Sequence, residues 1–149
     1  MSKPTRSLAR SAARLAAVQA LYQREMDKTP LAQLLDQFHQ HRLGEATDDE
    51  PLAEAEVAFF DDVVRGVDTR AEEIDALLGQ RLAAGWSLER LDKTLLQVLR
   101  AGTYELLARP DVPVGSAISE YVDVAHAFFD EREAKFVNGV LDTLAKALR

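Results

Sequence analysis

The chain has 149 residues, 47% of them hydrophobic, and a formal net charge of -7, which suits one domain with its own core and excludes indiscriminate coating of DNA, a task for cationic chains. It contains no cysteine, which excludes disulfides, thiolate metal ligands and a cysteine nucleophile and suits a reducing compartment. No stretch approaches the roughly 20 apolar residues that span a bilayer, and the N-terminus lacks the continuous apolar run of a signal peptide, so a soluble cytoplasmic protein with no membrane partner is expected.

Ala and Leu number 44 together against 14 Val plus Ile, a balance that favours helix over strand and predicts an all-α protein. The first predicted helix follows Pro4 and Thr5 and runs to about Met26. Its charge is distinctive. Lys3, Arg6, Arg10, Arg14 and Arg24 occur by residue 24 without one acid, leaving 13 basic and 25 acidic side chains, net -12, in the remainder. Cations at a helix start oppose the macrodipole, so the segment points to a nucleic acid or an acidic partner. Arg6, Arg10 and Arg14 recur every four residues and share one side of a helix. Leu8, Ala12, Leu15, Val18, Tyr22 and Met26 form an apolar stripe roughly opposite. The arginines are therefore expected to face outward.

Thr29 and Pro30 punctuate the chain, and Leu31, Leu34, Leu35 and Phe38 predict a second helix to about Arg42, closed by Gly44. The acidic stretch 45–54 has no apolar periodicity and reads as an exposed linker. Val57, Phe59, Phe60, Val63, Val64 and Val67 mark a buried helix, and Ile74, Leu77, Leu78 and Leu82 another after a break at Asp68 and Thr69. Ser87 is the expected cap of a central helix over 88–108, with Trp86 stapled on Leu91 and Gly102 giving room for a close crossing. Pro110 and Pro113 force a stiff connection. Two more helices are predicted over 114–129 and 134–148. The organisation expected is one domain over 1–149, made of two small helical bundles: an N-terminal subdomain over about 1–80 and a C-terminal one over about 81–149.

Catalysis has no visible carrier. His39 and His41 diverge on a helix and cannot hold one metal ion together, the acids near His126 read as surface pairing, and neither a nucleophile elbow nor a Gly-rich phosphate loop is present. No cofactor or metal is implied.

Several segments, in order, resemble the NusB family of bacterial transcription antitermination factors. They are Arg14 with Ala20, Leu21 and Tyr22; the run from Gly85 to Arg90; Leu99 and Arg100 with Tyr104, Glu105 and Leu106; Asp111 to Val114; and the run from Lys135 to Asp142. The resemblance covers about four fifths of the chain and implies an all-helical, noncatalytic factor. Such factors bind the boxA element of nascent RNA with NusE, a small-subunit ribosomal protein, and help RNA polymerase antitermination complexes read through ribosomal RNA operons. Here the factor would act as a monomer or homodimer. A family member can also be the RNA-binding portion of a ribosomal RNA methyltransferase, but this chain has neither a cofactor domain nor a cysteine, and a scaffold that binds only protein is the other alternative.

The resemblance implies RNA contacts at Arg6, Arg10 and Arg14, with Tyr22 ending that motif and Phe128, Lys135 and Asn138 further along. Single-stranded RNA stacks on aromatic planes and meets cations along its backbone, so Tyr22 and Phe128 suit stacking and the arginines suit phosphates. Three such contacts give a log–log salt slope near about -2. Core packing explains Tyr22 and Phe128 equally well, a solvated surface explains Lys135, and a structural hydrogen bond explains Asn138. Gly139 suggests a close backbone crossing. Two departures are visible: Ser11, Ala12 and Ala13 stand where relatives often carry arginines, and Phe129 replaces the glycine usual after Phe128, a residue suited to a left-handed cap. The acidic remainder suits a basic ribosomal partner.

Overall fold

The structure, a computed structural model, describes residues 2–43, 54–82 and 85–149, with side chains over 9–40, 56–82 and 85–149. Gly44, nearly all of the acidic stretch 45–54, and the side chains of Arg6, Leu8 and His41 lie outside these residues. The described residues form α1 (Ser2–Asp27), α2 (Leu31–Gln37), α3 (Glu54–Thr69), α4 (Ala71–Gly79), α5 (Lys93–Ala108), α6 (Val114–Phe128) and α7 (Glu131–Leu148), with no strand among them. The all-α expectation holds.

Two compact units divide at Arg65 and Gly66, inside α3. The division lies ahead of the boundary near 80 expected from pattern, and packing supplies the reason. A Cβ on Gly66 would lie 2.2 Å from the Tyr104 ring, so the end of α3 is closed onto α5. Helix α4 is tied to α5 as well, by Arg100, whose Nε and Nη2 donate to the two carboxylate oxygens of Asp75 at 2.9 and 2.8 Å.

In the first unit, α1 buries Ala13, Ala17, Val18, Ala20 and Leu21. Alanine is the best helix former and lets a neighbouring element approach closely. Helix α1 ends at Lys28, whose φ of 60° is left-handed, a conformation that glycine adopts more easily. The Thr29 hydroxyl and its N–H donate to the Asp27 carboxylate and hold that carboxyl below its usual range. Helix α2 continues into a wider turn over Phe38–Leu43, which sets the Phe38 ring on Phe60, stacked at 5.6 Å.

In the second unit α5 is central. Every residue from Leu95 to Leu99 and from Ala101 to Leu106 is buried, so the helix is enclosed nearly all round, by α4, α6 and α7. Its start differs from the expected one. Ser87 makes no side-chain cap bond and precedes a single tight turn over Leu88–Arg90. The cap is Asp92, whose carboxylate accepts from the N–H groups of Thr94 and Leu95 at 2.8 and 3.1 Å. Leu91 is extended between them, and Trp86 is 59% exposed rather than stapled. A carboxylate at Asp92 meets two orphan donors at once and has the favourable charge for a helix start.

Gly102 does admit a close crossing: a Cβ there would lie 2.8 Å from Leu141 and 3.4 Å from Tyr121. Tyr121 donates its hydroxyl to the buried Glu105 carboxylate. Beyond α5 the last carbonyls converge on one side chain. Arg149 donates to the carbonyl oxygens of Glu105, Leu106, Arg109 and Val112 at 2.7 to 3.1 Å, a cation placed where the helix macrodipole favours one.

Two outcomes follow. Gly66→Ala should destabilise the fold by about 1–3 kcal/mol, the usual range for overpacking, measured by urea denaturation; equal stability would mean that the Tyr104 ring has room to retreat. Arg149→Ala should cost about 2 kcal/mol through lost charge-assisted bonds, with an unchanged melting temperature as the contrary result.

Candidate nucleic-acid interface

Helix α1 carries Arg10 and Arg14 on the side that packs. Arg14 is 4% exposed, with its guanidinium 4.9 Å from the centroid of the Phe59 ring. Arg10 lies over the same ring at 4.3 Å, and its Nε is 3.3 Å from Glu56 Oε1. The Arg10 side chain is 25% exposed and that of Glu56 only 3%. The outward projection expected for Arg10 and Arg14 is corrected accordingly. Positions 10, 13, 14, 17 and 21 share one helix face, and its alanines bring α1 close to Phe59, whose negative π-face receives cations.

The opposite reassignment holds on the expected apolar stripe. Tyr22 is 39% exposed and Met26 54% exposed, so Tyr22 offers a ring at the surface rather than filling the core. Arg24, in the last turn of α1, donates through Nη1 to the Thr29 carbonyl at 2.6 Å.

The remaining site residues lie in the second unit. Phe128, in the last turn of α6, is 40% exposed, with its ring 6.3 Å from that of Phe129 and tilted by 56°. Phe129 is extended at φ -138° and ψ 177°, so this helix end needs no left-handed residue and the missing glycine costs nothing. Lys135 and Asn138 are exposed on α7 about one turn apart. They line a groove of about 490 Å³ between α6 and α7, with Val114 and Ile118 contributed by α6. Gly139 has no atom within 4 Å of a Cβ built upon it, which corrects the expected close crossing there. The buried stripe of α7 runs through Ala134, Val137, Leu141 and Leu144, and that register turns 138 and 139 to the surface.

No group of three or more potential metal ligands occurs among the described residues. His39 is occupied by Asp61, Nε2 to Oδ1 at 2.6 Å, and His126 lies 4.0 Å from Glu131. The described residues also contain no helix long and apolar enough to cross a membrane. Glu56 and Phe59, which pack against Arg10 and Arg14, are the neighbours of the candidate site that sequence reasoning did not single out for function. The available signal was their spacing: three residues apart in the first turns of α3, they share a face, but Glu56 is easily lost beside a run of acids.

Known proteins agree with this architecture. Residues 11–146 match the model of the NusB family. The transcription antitermination protein NusB of Novosphingobium aromaticivorans is 70% identical over 141 residues, 95% of each chain. Among solved structures, NusB of T. maritima is similar at a TM-score of 0.78 and 33% identity, covering 92% of this chain and 90% of that one. A chain from a crystal structure of antitermination factors NusB and NusE in complex with dsRNA is similar at a TM-score of 0.76 and 25% identity, covering 93% and 97%. An all-helical chain with this motif order, matched along nine tenths of its length, belongs to the NusB family of transcription antitermination proteins.

Proposed function

We propose that this chain is a noncatalytic RNA-binding adaptor that holds a boxA-like single-stranded RNA together with the ribosomal protein NusE, inside an RNA polymerase antitermination complex that reads through ribosomal RNA operons in the cytoplasm. The observation that carries the reading is the family match over residues 11–146, supported by the resemblance to a NusB chain described with NusE and dsRNA. The charge split supports it too. An acid-free leading segment suits a phosphate backbone, and a remainder of net -12 suits a basic protein. The chemistry left at the surface is of the right kind: Tyr22 and Phe128 present aromatic planes, and Lys135 and Asn138 present a cation and a hydrogen-bonding amide.

Among the arginines the roles divide. Arg10 keeps a quarter of its side chain in solvent and is proposed to meet phosphate. Arg6 joins it as a proposed contact on the resemblance alone. Arg14 is buried and is proposed to support the site from below rather than to touch RNA.

Fluorescence anisotropy with a boxA-containing RNA oligonucleotide should show binding, tighter when NusE is added; no binding in either condition would overturn the proposal. Tyr22→Ala should weaken binding by about 1–3 kcal/mol for one lost stack. Arg14→Ala should lower the melting temperature and leave the log–log salt slope unchanged, whereas a slope smaller by about 0.7 would return Arg14 to the phosphate contacts.

A further inference from the structure

We propose that Glu56 is a positioning residue for RNA binding, holding the Nε edge of Arg10 so that its two Nη groups are presented to a phosphate. The inference rests on the RNA-binding reading above and adds to it a residue of opposite charge. Three observations support it.

First, the Arg10 guanidinium is fixed on two sides. Its face lies on Phe59 at 4.3 Å, and its Nε stands 3.3 Å from a Glu56 carboxylate that is itself almost fully buried. Neither Nη group has a hydrogen-bond or ion-pair partner among the described residues, and a quarter of the side chain reaches solvent. The open edge is the one that forms parallel bonds with a phosphate.

Second, the contact between Nε and Glu56 is an ion pair without hydrogen-bond geometry, since Arg10 Nε and Glu56 Oε1 are both buried and unpartnered by that criterion. Such a contact fixes position by charge while leaving the donor fork uncommitted.

Third, Arg14 lies against the same ring at 4.9 Å, so two like charges share one aromatic ring. The buried carboxylate beside Arg10 offsets the repulsion that would otherwise drive it away into water. Held in place, Arg10 has less side-chain freedom to lose when RNA arrives. The alternative role for Glu56, a competitor that occupies Arg10 and keeps phosphate away, predicts the opposite sign.

The experiment is anisotropy with a boxA-containing RNA oligonucleotide in the presence of NusE, over a range of salt, using wild type, Glu56→Gln, Arg10→Ala, the double variant and Arg10→Lys. Wild-type binding establishes the RNA-binding reading independently, and its absence would defeat that reading rather than this one. Given wild-type binding, Glu56→Gln should weaken affinity roughly tenfold, the scale of one charge-assisted contact. It should also reduce the salt slope by about 0.7, as Arg10→Ala does. The double variant should be no weaker than Arg10→Ala. Equal or tighter binding by Glu56→Gln would overturn the proposal, as would a further loss from Glu56→Gln on top of Arg10→Ala. If Glu56→Gln does not fold, Arg10→Lys decides: it keeps the charge and lacks Nε and the planar fork, so weaker binding supports the proposal and wild-type binding overturns it.

Discussion

Helix α5 is enclosed by its neighbours along almost its entire length, and that enclosure sets the conditions under which the second unit can exist. A helix buried all round has no solvent-facing side on which to discharge its polar groups, so each must find a partner inside the protein. The sequence meets this at both ends and for most of the middle, where the buried Gln97 Nε2 is left without a hydrogen-bond partner among the described residues. Asp92 receives the first N–H groups, Tyr121 meets the Glu105 carboxylate, the Thr103 hydroxyl turns back on the Leu99 carbonyl, and Arg149 gathers the last carbonyls. The small side of α5 at Gly102 then allows Leu141 and Tyr121 to approach. Closeness and polar satisfaction are thus linked, since the tight crossing removes the water that would otherwise have served those groups.

The first unit follows a different rule. Its leading helix buries mostly alanine beside Val18 and Leu21, and the contact is completed by cations lying on an aromatic ring. This uses one group for two purposes. A guanidinium on Phe59 covers apolar surface with its flat face and keeps its edges for ionic partners, which a lysine cannot do. The positive charge of the segment is therefore partly invested in packing, and less of it is available to an outside anion than a count of arginines suggests.

Much of the fold was legible from sequence because leucine and valine mark buried faces strongly. The helices of the second unit, the proline-stiffened connection and the small residue at Gly102 all came from apolar spacing and backbone preference. The face of α1 did not, because alanine is ambivalent between core and surface, and the ring that decides the matter, Phe59, stands 45 residues beyond Arg14 in the chain. The cap at Asp92 was obscured by Ser87, an equally acceptable capping type five residues earlier. At the proposed interface, the residue types that suit RNA could be named from the motif order. Their exposure could not, since whether Tyr22 points inward depends on a register that differs by a fraction of a helical turn.

The clamp made by Arg149 has a consequence for how the chain is built. The carbonyls it satisfies belong to residues 37 to 44 positions earlier. On a ribosome adding about 5–20 residues per second, that interval is about 2–9 s. During it, the C-terminal end of α5 has been synthesised without its counter-charge. The first unit waits comparably, since Glu56 and Phe59, which receive the Arg10 guanidinium, follow it by 46 and 49 residues, so in each unit an early helix is completed by a late partner.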